Sequence, residues 1–270
     1  MASYQNQIRF NLLSTTFEIV FFFTRKFVYH YFYLGQKSKK KLFLYYLQQS
    51  IFQIFRNDAF LFVFLLQMKQ KKVFLLLNGE PPKEMPNLSN YDIICATDGG
   101  YHFLGNNKIT PDFVCGDLDS LREIPENIEV ICTPNQDFTD FEKALQILFD
   151  RGHTTIDIYG ASGKEQDHFL GNLNTALQWK EKLNLTFFDT YSRYFLADKN
   201  TEITNCKDQV ISLVPFPRAT NILTEGLQYA LNKENLSFGA RIGTRNKATK
   251  NQIKITFESG NLFIFINHKK

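Results

Sequence analysis

The chain has few cysteines, no long uninterrupted apolar run and, over its first quarter, almost no acid. Its four cysteines, Cys95, Cys115, Cys132 and Cys206, are at least sixteen residues apart, so no CxxC pair is present to hold zinc or act as a redox dithiol. Three of them sit in or beside apolar runs, where a reduced thiol behaves as a small hydrophobe. A reducing, cytoplasmic setting is the expectation. No apolar stretch reaches the roughly 18 to 20 uncharged residues that a membrane-spanning helix needs. A secretory signal is not expected, because the basic start, single apolar core and small-residue cleavage site do not follow one another in order.

Acid is scarce only at the beginning. Residues 1–72 carry eleven Lys/Arg against two acids, Glu18 and Asp58, a net of +9, whereas the rest of the chain nets −5. The formal charge of +4 therefore belongs to that first segment, and the slightly acidic body gives no reason to expect nucleic acid as a partner.

What is present begins with size: 270 residues at 44% hydrophobic content suffice for one large packed domain or two modest ones. Residues 1–70 stand apart. They hold thirteen of the 28 phenylalanines, in clusters such as "EIVFFFTRKFVYHYFYL" and "DAFLFVFLL" broken by "KSKKK". This segment is expected to lie outside the functional fold and to make no membrane contact. Met68 directly precedes "KQKKVFLLLNGE", the natural opening of a domain, which fits an upstream start translated or assigned in error. A membrane-associating extension and an extra packed element are the alternatives.

From residue 73 short apolar runs ("VFLLL", "DIICAT", "DFVCG", "IEVICT", "TIDIYG", "LTFFD") alternate with helical patterns, notably "TDFEKALQILFDRG" and "QDHFLGNLNTALQWKEKL". Such alternation predicts an α/β domain with a parallel sheet over residues 73–190. Beyond residue 190 the pattern is of strands alone ("RYFLAD", "QVISLVPF", "LTEGLQYAL", "SFGARIG", "QIKITFES", "NLFIFI"), with turns at "DKN" and "ESGN". That predicts a smaller antiparallel β domain over 191–270.

Ligands of open α/β sheets bind at the carboxyl ends of the strands, and carboxylates gather there in this chain. "ATDGG" puts Asp98 after the second run, with Gly99 and Gly100 permitting close backbone approach. "PDFVCGDLDS" puts Asp117 and Asp119 after the third, and like charges two positions apart repel unless a cation sits between them. Hard cations such as Mg²⁺ take oxygen ligands and join one or two carboxylates to phosphates. Further acids follow the fourth and fifth runs in "TPNQDFTDFEKAL" and "GASGKEQDH"; across "ATDGG", "GDLDS" and these two stretches no cysteine occurs and His168 is the one histidine, which favours magnesium over zinc. A solvated Asx turn explains the two aspartates equally well when they are taken alone.

"TDFE" is a capping box with Thr139 as N-cap and Glu142 three residues on. Asp140 then falls in the first helical turn, where the helix dipole by itself accounts for a carboxylate. Lys143, one turn in, either reaches a phosphate or is solvated. "GASGK" is not a P-loop: Ile158 stands where the first glycine belongs and Glu165 where Ser or Thr should follow Lys164. Its glycines suit a tight loop feeding a helix that begins near Asp167, whose amides favour an anion. Thr244 and Asn246, in "FGARIGTRN", read as hairpin residues.

Taken in order, "DGG", "PDFVCGDLDS", "PNQDFTDFEKAL", "GASGKEQDHFLGNL" and "LSFGARIGTRN" resemble the thiamine pyrophosphokinase family, from about residue 73 to the C-terminus. The resemblance implies a nucleotide-binding α/β domain followed by a β-sandwich domain, and transfer of pyrophosphate from ATP to the thiamine hydroxyl. It implies Mg²⁺ on Asp117, Asp119 and Asp140, with Lys143 as the motif lysine. It places Asp98, Gly99, Gly100, Thr139 and Lys164 around the nucleotide, and Gln136 and Asp167 beside thiamine. Asp167 would accept the hydroxyl proton or anchor the vitamin. It further implies a homodimer in which Thr244 and Asn246 contact thiamine from the partner chain. One position departs from the pattern: Glu165 stands where the family commonly has arginine, with Lys164 adjacent, which predicts weakened ATP affinity. Two other functions compete with this one, a related pyrophosphokinase acting on another alcohol and a catalytically silent Mg-nucleotide-binding protein.

Overall fold

The computed structural model describes residues 72–119 and 127–268. The expectations for residues 1–70 lie outside the described residues.

The first part runs β1 (Lys72–Leu76), β2 (Ile93–Thr97), α1 (Asp98–Asn106), β3 (Phe113–Gly116), β4 (Glu129–Cys132), α2 (Asp140–Asp150), β5 (Thr155–Tyr159), α3 (Gln166–Trp179) and β6 (Asn184–Phe188). The second part is β7 (Ser192–Leu196), β8 (Asn200–Thr204), β9 (Val210–Glu225), β10 (Asn232–Ser237), β11 (Gly243–Lys247), β12 (Gln252–Thr256) and β13 (Ser259–Asn267). The thirteen strands of the described residues share one mixed sheet, ordered β4-β3-β2-β1-β5-β6-β7-β13-β9-β12-β8, with β10 and β11 also paired to β9. Pairing is parallel from β4 to β6 and antiparallel from β6 onward. The arrangement fits a larger α/β part followed by a smaller β part.

Strand alternation sets the layers. Val73, Leu75 and Leu77 point to one face with Cys95, Phe113, Ile156 and Ile158, where Phe141, Ala144, Leu145 and Leu148 of α2 and Leu173, Ala176 and Trp179 of α3 cover them. Phe74 and Leu76 point to the other face, with Ala96, Tyr159 and Leu104 of α1. Burial on both faces is why the run "VFLLL" carries no polar alternation. A second core gathers Ile211, Leu213, Ile222, Leu236, Ile253, Ile255, Ile264 and their neighbours. Near residue 190, stacked rings join the two parts: Phe187 of β6 on Tyr194 of β7 at 4.9 Å, and Tyr194 on Phe265 of β13 at 4.7 Å.

Three elements differ from the sequence expectation. Neither helical pattern named in the sequence covers "DGGYHFLGN", whose glycines are poor helix formers, yet it forms α1; packing of buried Leu104 against the sheet outweighs propensity, and Asp98 in the first turn accepts from Gly99 N. The run read as "QVISLVPF" continues through Pro215 and Pro217 to Glu225. Around those prolines β9 exchanges β11 for β10 on one side, where a missing amide is tolerated. The polar segment after "DKN" is β8, which among the described residues is an edge strand paired only to β12 and so free to be polar.

Candidate active site

The chain leaves β1 toward β2, β3 and β4, then returns to β5 on the opposite side of β1. The carboxyl ends of β1 and β5 thus flank a topological switch point, where sheets of this kind bind ligands.

Asp98, Asp117 and Asp119 meet beside it, each offering an oxygen within 4.8 Å of the others. Asp98 opens α1 and is buried; its Oδ1 accepts from Gly99 N at 2.7 Å, while Oδ2 is buried with no hydrogen-bond partner. Burial raises its pKa, and repulsion from Asp140, Asp117 and Asp119 adds to the rise. Asp119 is exposed and Asp117 half-buried. Gln136 Nε2 donates to its Oδ2 at 3.0 Å, and that bond, followed by the Asp119 amide, holds its carboxyl below the ordinary value. Leu118 between the aspartates has φ 70°, a conformation that costs a non-glycine residue roughly 1–2 kcal/mol.

Gly99 and Gly100 have a packing reason to be glycines. A Cβ on Gly99 would lie 2.4 Å from Asn78 Cγ, and one on Gly100 would lie 2.5 Å from Leu76 O. Their bareness lets α1 seat against the end of β1, which fixes where Asp98 enters.

On α2, Thr139 Oγ1 accepts from Glu142 N at 3.2 Å, as the capping box requires. Asp140 occupies the first turn and is outside the three-carboxylate cluster, though close enough to repel Asp98. Its Oδ1 takes Lys143 Nζ at 2.9 Å, and the same ammonium donates to Thr133 O at 2.8 Å. Lys143 is thereby largely buried and aimed along the end of β4.

At the "GASGK" loop Lys164 and Glu165 diverge. Lys164 Nζ donates to Asn78 Oδ1 at 3.1 Å, while Glu165 Oε2 lies 3.7 Å from His168 Nε2 along the exposed side of α3. Asp167 is exposed in the first turn of α3 with its Oδ1 on His168 N at 3.0 Å. Asn78 is the site residue that sequence reading missed. The signal was a polar residue directly after the first apolar run, "LLLNGE", at a strand end like the others.

Thr244 and Asn246 are elsewhere. They lie on β11, whose sheet partner β9 stands seven strands from β3, roughly 30 Å along the sheet. Thr244 is exposed. Asn246 is buried, with its side-chain amide clamped to Tyr229: Oδ1 accepts from Tyr229 N at 3.0 Å and Nδ2 donates to Tyr229 O at 2.7 Å.

Comparison with known proteins matches two family models in chain order: "Thiamin pyrophosphokinase, catalytic domain" over residues 86–187 and "Thiamin pyrophosphokinase, vitamin B1 binding domain" over residues 198–262. The chain is 25% identical over 217 residues to thiamin pyrophosphokinase 1 of Caenorhabditis elegans, covering 71% of this chain and 87% of that one. It is 24% identical over 208 residues to thiamine pyrophosphokinase of Bacillus subtilis, covering 72% and 97%. The fold is similar to the crystal structure of the Bacillus subtilis enzyme, with TM-score 0.64 at 22% identity over 73% of this chain and all of that one. It is also similar to thiamin pyrophosphokinase from Candida albicans, with TM-score 0.65 at 17% identity over 74% and 90%. With both models matched in order over more than half of its length, the chain belongs to the thiamin pyrophosphokinase family.

Proposed function

We propose how the parts of this chain divide the work of an ATP:thiamine diphosphotransferase. In that reaction the hydroxyethyl oxygen of thiamine attacks the β-phosphorus of ATP. The bond to the α-phosphate breaks, AMP leaves with the bridging oxygen, and the hydroxyl proton passes to a base. The demand on protein is alignment and charge neutralisation more than covalent chemistry.

The observation that carries the reading is the meeting of Asp98, Asp117 and Asp119 within 4.8 Å beside the switch point. An all-oxygen set with one buried, unpartnered Asp98 oxygen fits a hard divalent cation. Asp98, Asp117 and Asp119 would hold Mg²⁺, with Asp140 one helical turn from Lys143 adjoining them. When bound, Mg²⁺ supplies neutralisation of the triphosphate charge. Lys143 and Lys164 bring the cations that orient the phosphates, and the amides opening α3 face the same loop. Asp167, exposed at that helix start, takes the hydroxyl proton, and Gln136 links thiamine to Asp117.

Thr244 and Asn246 contact thiamine from a second copy of the chain. The support is topology: within one chain their strand joins the sheet at β9, seven strands removed from β3, which leads into the carboxylates. This assigns the α/β part, residues 73–190, to ATP and Mg²⁺, and the β-sandwich part, residues 191–270, to thiamine and dimerisation. No helix among the described residues is long and apolar enough to cross a membrane.

The test is AMP release from ATP and Mg²⁺ with and without thiamine, with product mass read in parallel. Thiamine-dependent AMP and a thiamine diphosphate peak are expected. AMP formation with another alcohol but not with thiamine would sink the acceptor assignment.

A further inference from the structure

The Lys164–Asn78 contact joins the two strand ends that flank the switch point, since Asn78 follows β1 and Lys164 follows β5. We infer that Asn78 is a positioning residue for the reaction, holding the Lys164 ammonium across this crevice as a charge presented to the polyphosphate of the nucleotide. The inference rests on the nucleotide site proposed above and adds to it a residue that makes no phosphate contact of its own.

Three observations support it. First, the frame around the pair is tied down beyond the ends of the strands. Leu77 N donates to Tyr159 O at 2.9 Å, Gly79 N to Gly160 O at 2.7 Å and Glu80 N to Ser162 O at 2.7 Å. From α3, Asn172 Nδ2 donates to Ala161 O at 2.8 Å. The two loops thus continue the ladder and present Asn78 and Lys164 from fixed backbones.

Second, the charges of the two candidate phosphate-binding lysines are handled differently. Lys143 is paired with Asp140, whereas Lys164 makes no ion pair among the described residues and is held by a neutral amide. An amide oxygen orients an ammonium without cancelling its charge. A free lysine side chain carries about 2 kcal/mol of rotamer entropy, part of which is lost on each binding event unless the side chain is already held.

Third, Asn78 is itself wedged. Its Cγ lies where a Cβ on Gly99 would be only 2.4 Å away, so the side chain packs against the first turn of α1, next to Asp98. One amide therefore sits between the Lys164 cation and the helix start that carries the buried carboxylate.

The experiment is a double-mutant cycle on the full chain with Asn78→Ala, Lys164→Ala and both together. The readouts are calorimetric binding of Mg·α,β-methylene-ATP, KM for ATP, KM for thiamine and the melting temperature. Asn78→Ala is expected to weaken nucleotide binding about five- to tenfold with Lys164 present, and less than about twofold in the Lys164→Ala background. Thiamine KM and the melting temperature should stay unchanged. Equal losses in both backgrounds overturn the inference, as does a loss that comes with a changed thiamine KM and a lower melting temperature. Lys164→Ala without effect on nucleotide binding overturns the inference together with the assignment of Lys164 to the nucleotide, which separates the two failures. Asn78→Ser, which keeps a small polar side chain, reads out the same coupling if the alanine variant does not fold.

Discussion

Gln136 Nε2 donates to Asp117 Oδ2 at 3.0 Å, joining the loop before α2 to the acidic turn after β3. The bond stabilises the charged carboxylate, which is why Asp117 stays below its ordinary pKa beside other acids. A group that orients a metal-binding carboxylate is worth about 10- to 100-fold in metal affinity or activity. Gln136→Ala should therefore raise the Mg²⁺ concentration needed for half-maximal activity by about that factor. A rise in thiamine KM alone, with the Mg²⁺ requirement unchanged, would assign Gln136 to the vitamin only.

Asp119→Asn keeps the size of the side chain and removes one charge from the three-carboxylate cluster. Turnover should fall by at least about 100-fold, because alignment and neutralisation supply most of the catalysis in phosphoryl transfer. Circular dichroism and the melting temperature should stay near those of the parent chain, since Asp119 is exposed and lies outside the strands and helices. A variant that binds Mg·ATP and turns over normally sinks the metal assignment.

The site was legible to the extent that its chemistry was local. "GDLDS", "TDFE" and the helix start near Asp167 each encode a turn or cap in a few consecutive residues, and Thr139 caps α2 as its motif implies. What escaped was decided over long sequence separations. Asn78 gains its meaning from Lys164, 86 residues on, and from the packing of Gly99. Asp157 reads as an interruption in the apolar run "TIDIYG", yet it is buried with Lys72 Nζ at 2.6 Å and Tyr91 OH at 2.8 Å. No short window contains both members of those pairs. The same holds for α1, whose sequence disfavours a helix until the sheet beneath it is in place.

The cysteines give a pH prediction. Burial, with Asp140 and Asp98 adding to it, pushes the Cys115 thiol up to about 12, and burial raises Cys95 as well. The folded chain keeps these protons at a pH where the unfolded chain, with thiols near 9.0, releases them. Unfolding then releases protons, so stability is full below about pH 9 and falls as pH rises toward 12. The melting temperature should drop between pH 8 and pH 10.5, and less steeply in Cys115→Ala. At pH 8 a thiol-alkylating reagent should modify exposed Cys132 and leave buried Cys95, Cys115 and Cys206 until the chain unfolds.

Asn246 separates a structural role from a binding one. Its amide satisfies both the N–H and the carbonyl of Tyr229 from a buried position, so Asn246→Ala strands two backbone groups at once. A stranded group costs about 1–3 kcal/mol, so with water reaching the other the predicted loss is about 1–3 kcal/mol. Chemical denaturation of the variant measures this directly. Thr244, exposed on the same strand, gives up no such bond, so Thr244→Ala should leave stability within about 0.5 kcal/mol of the parent. If thiamine is bound through this strand, both variants should raise thiamine KM while only Asn246→Ala loses stability. An unchanged thiamine KM in Thr244→Ala would leave β11 as a structural strand, because the Asn246 effect would then follow from the unclamped Tyr229 backbone alone.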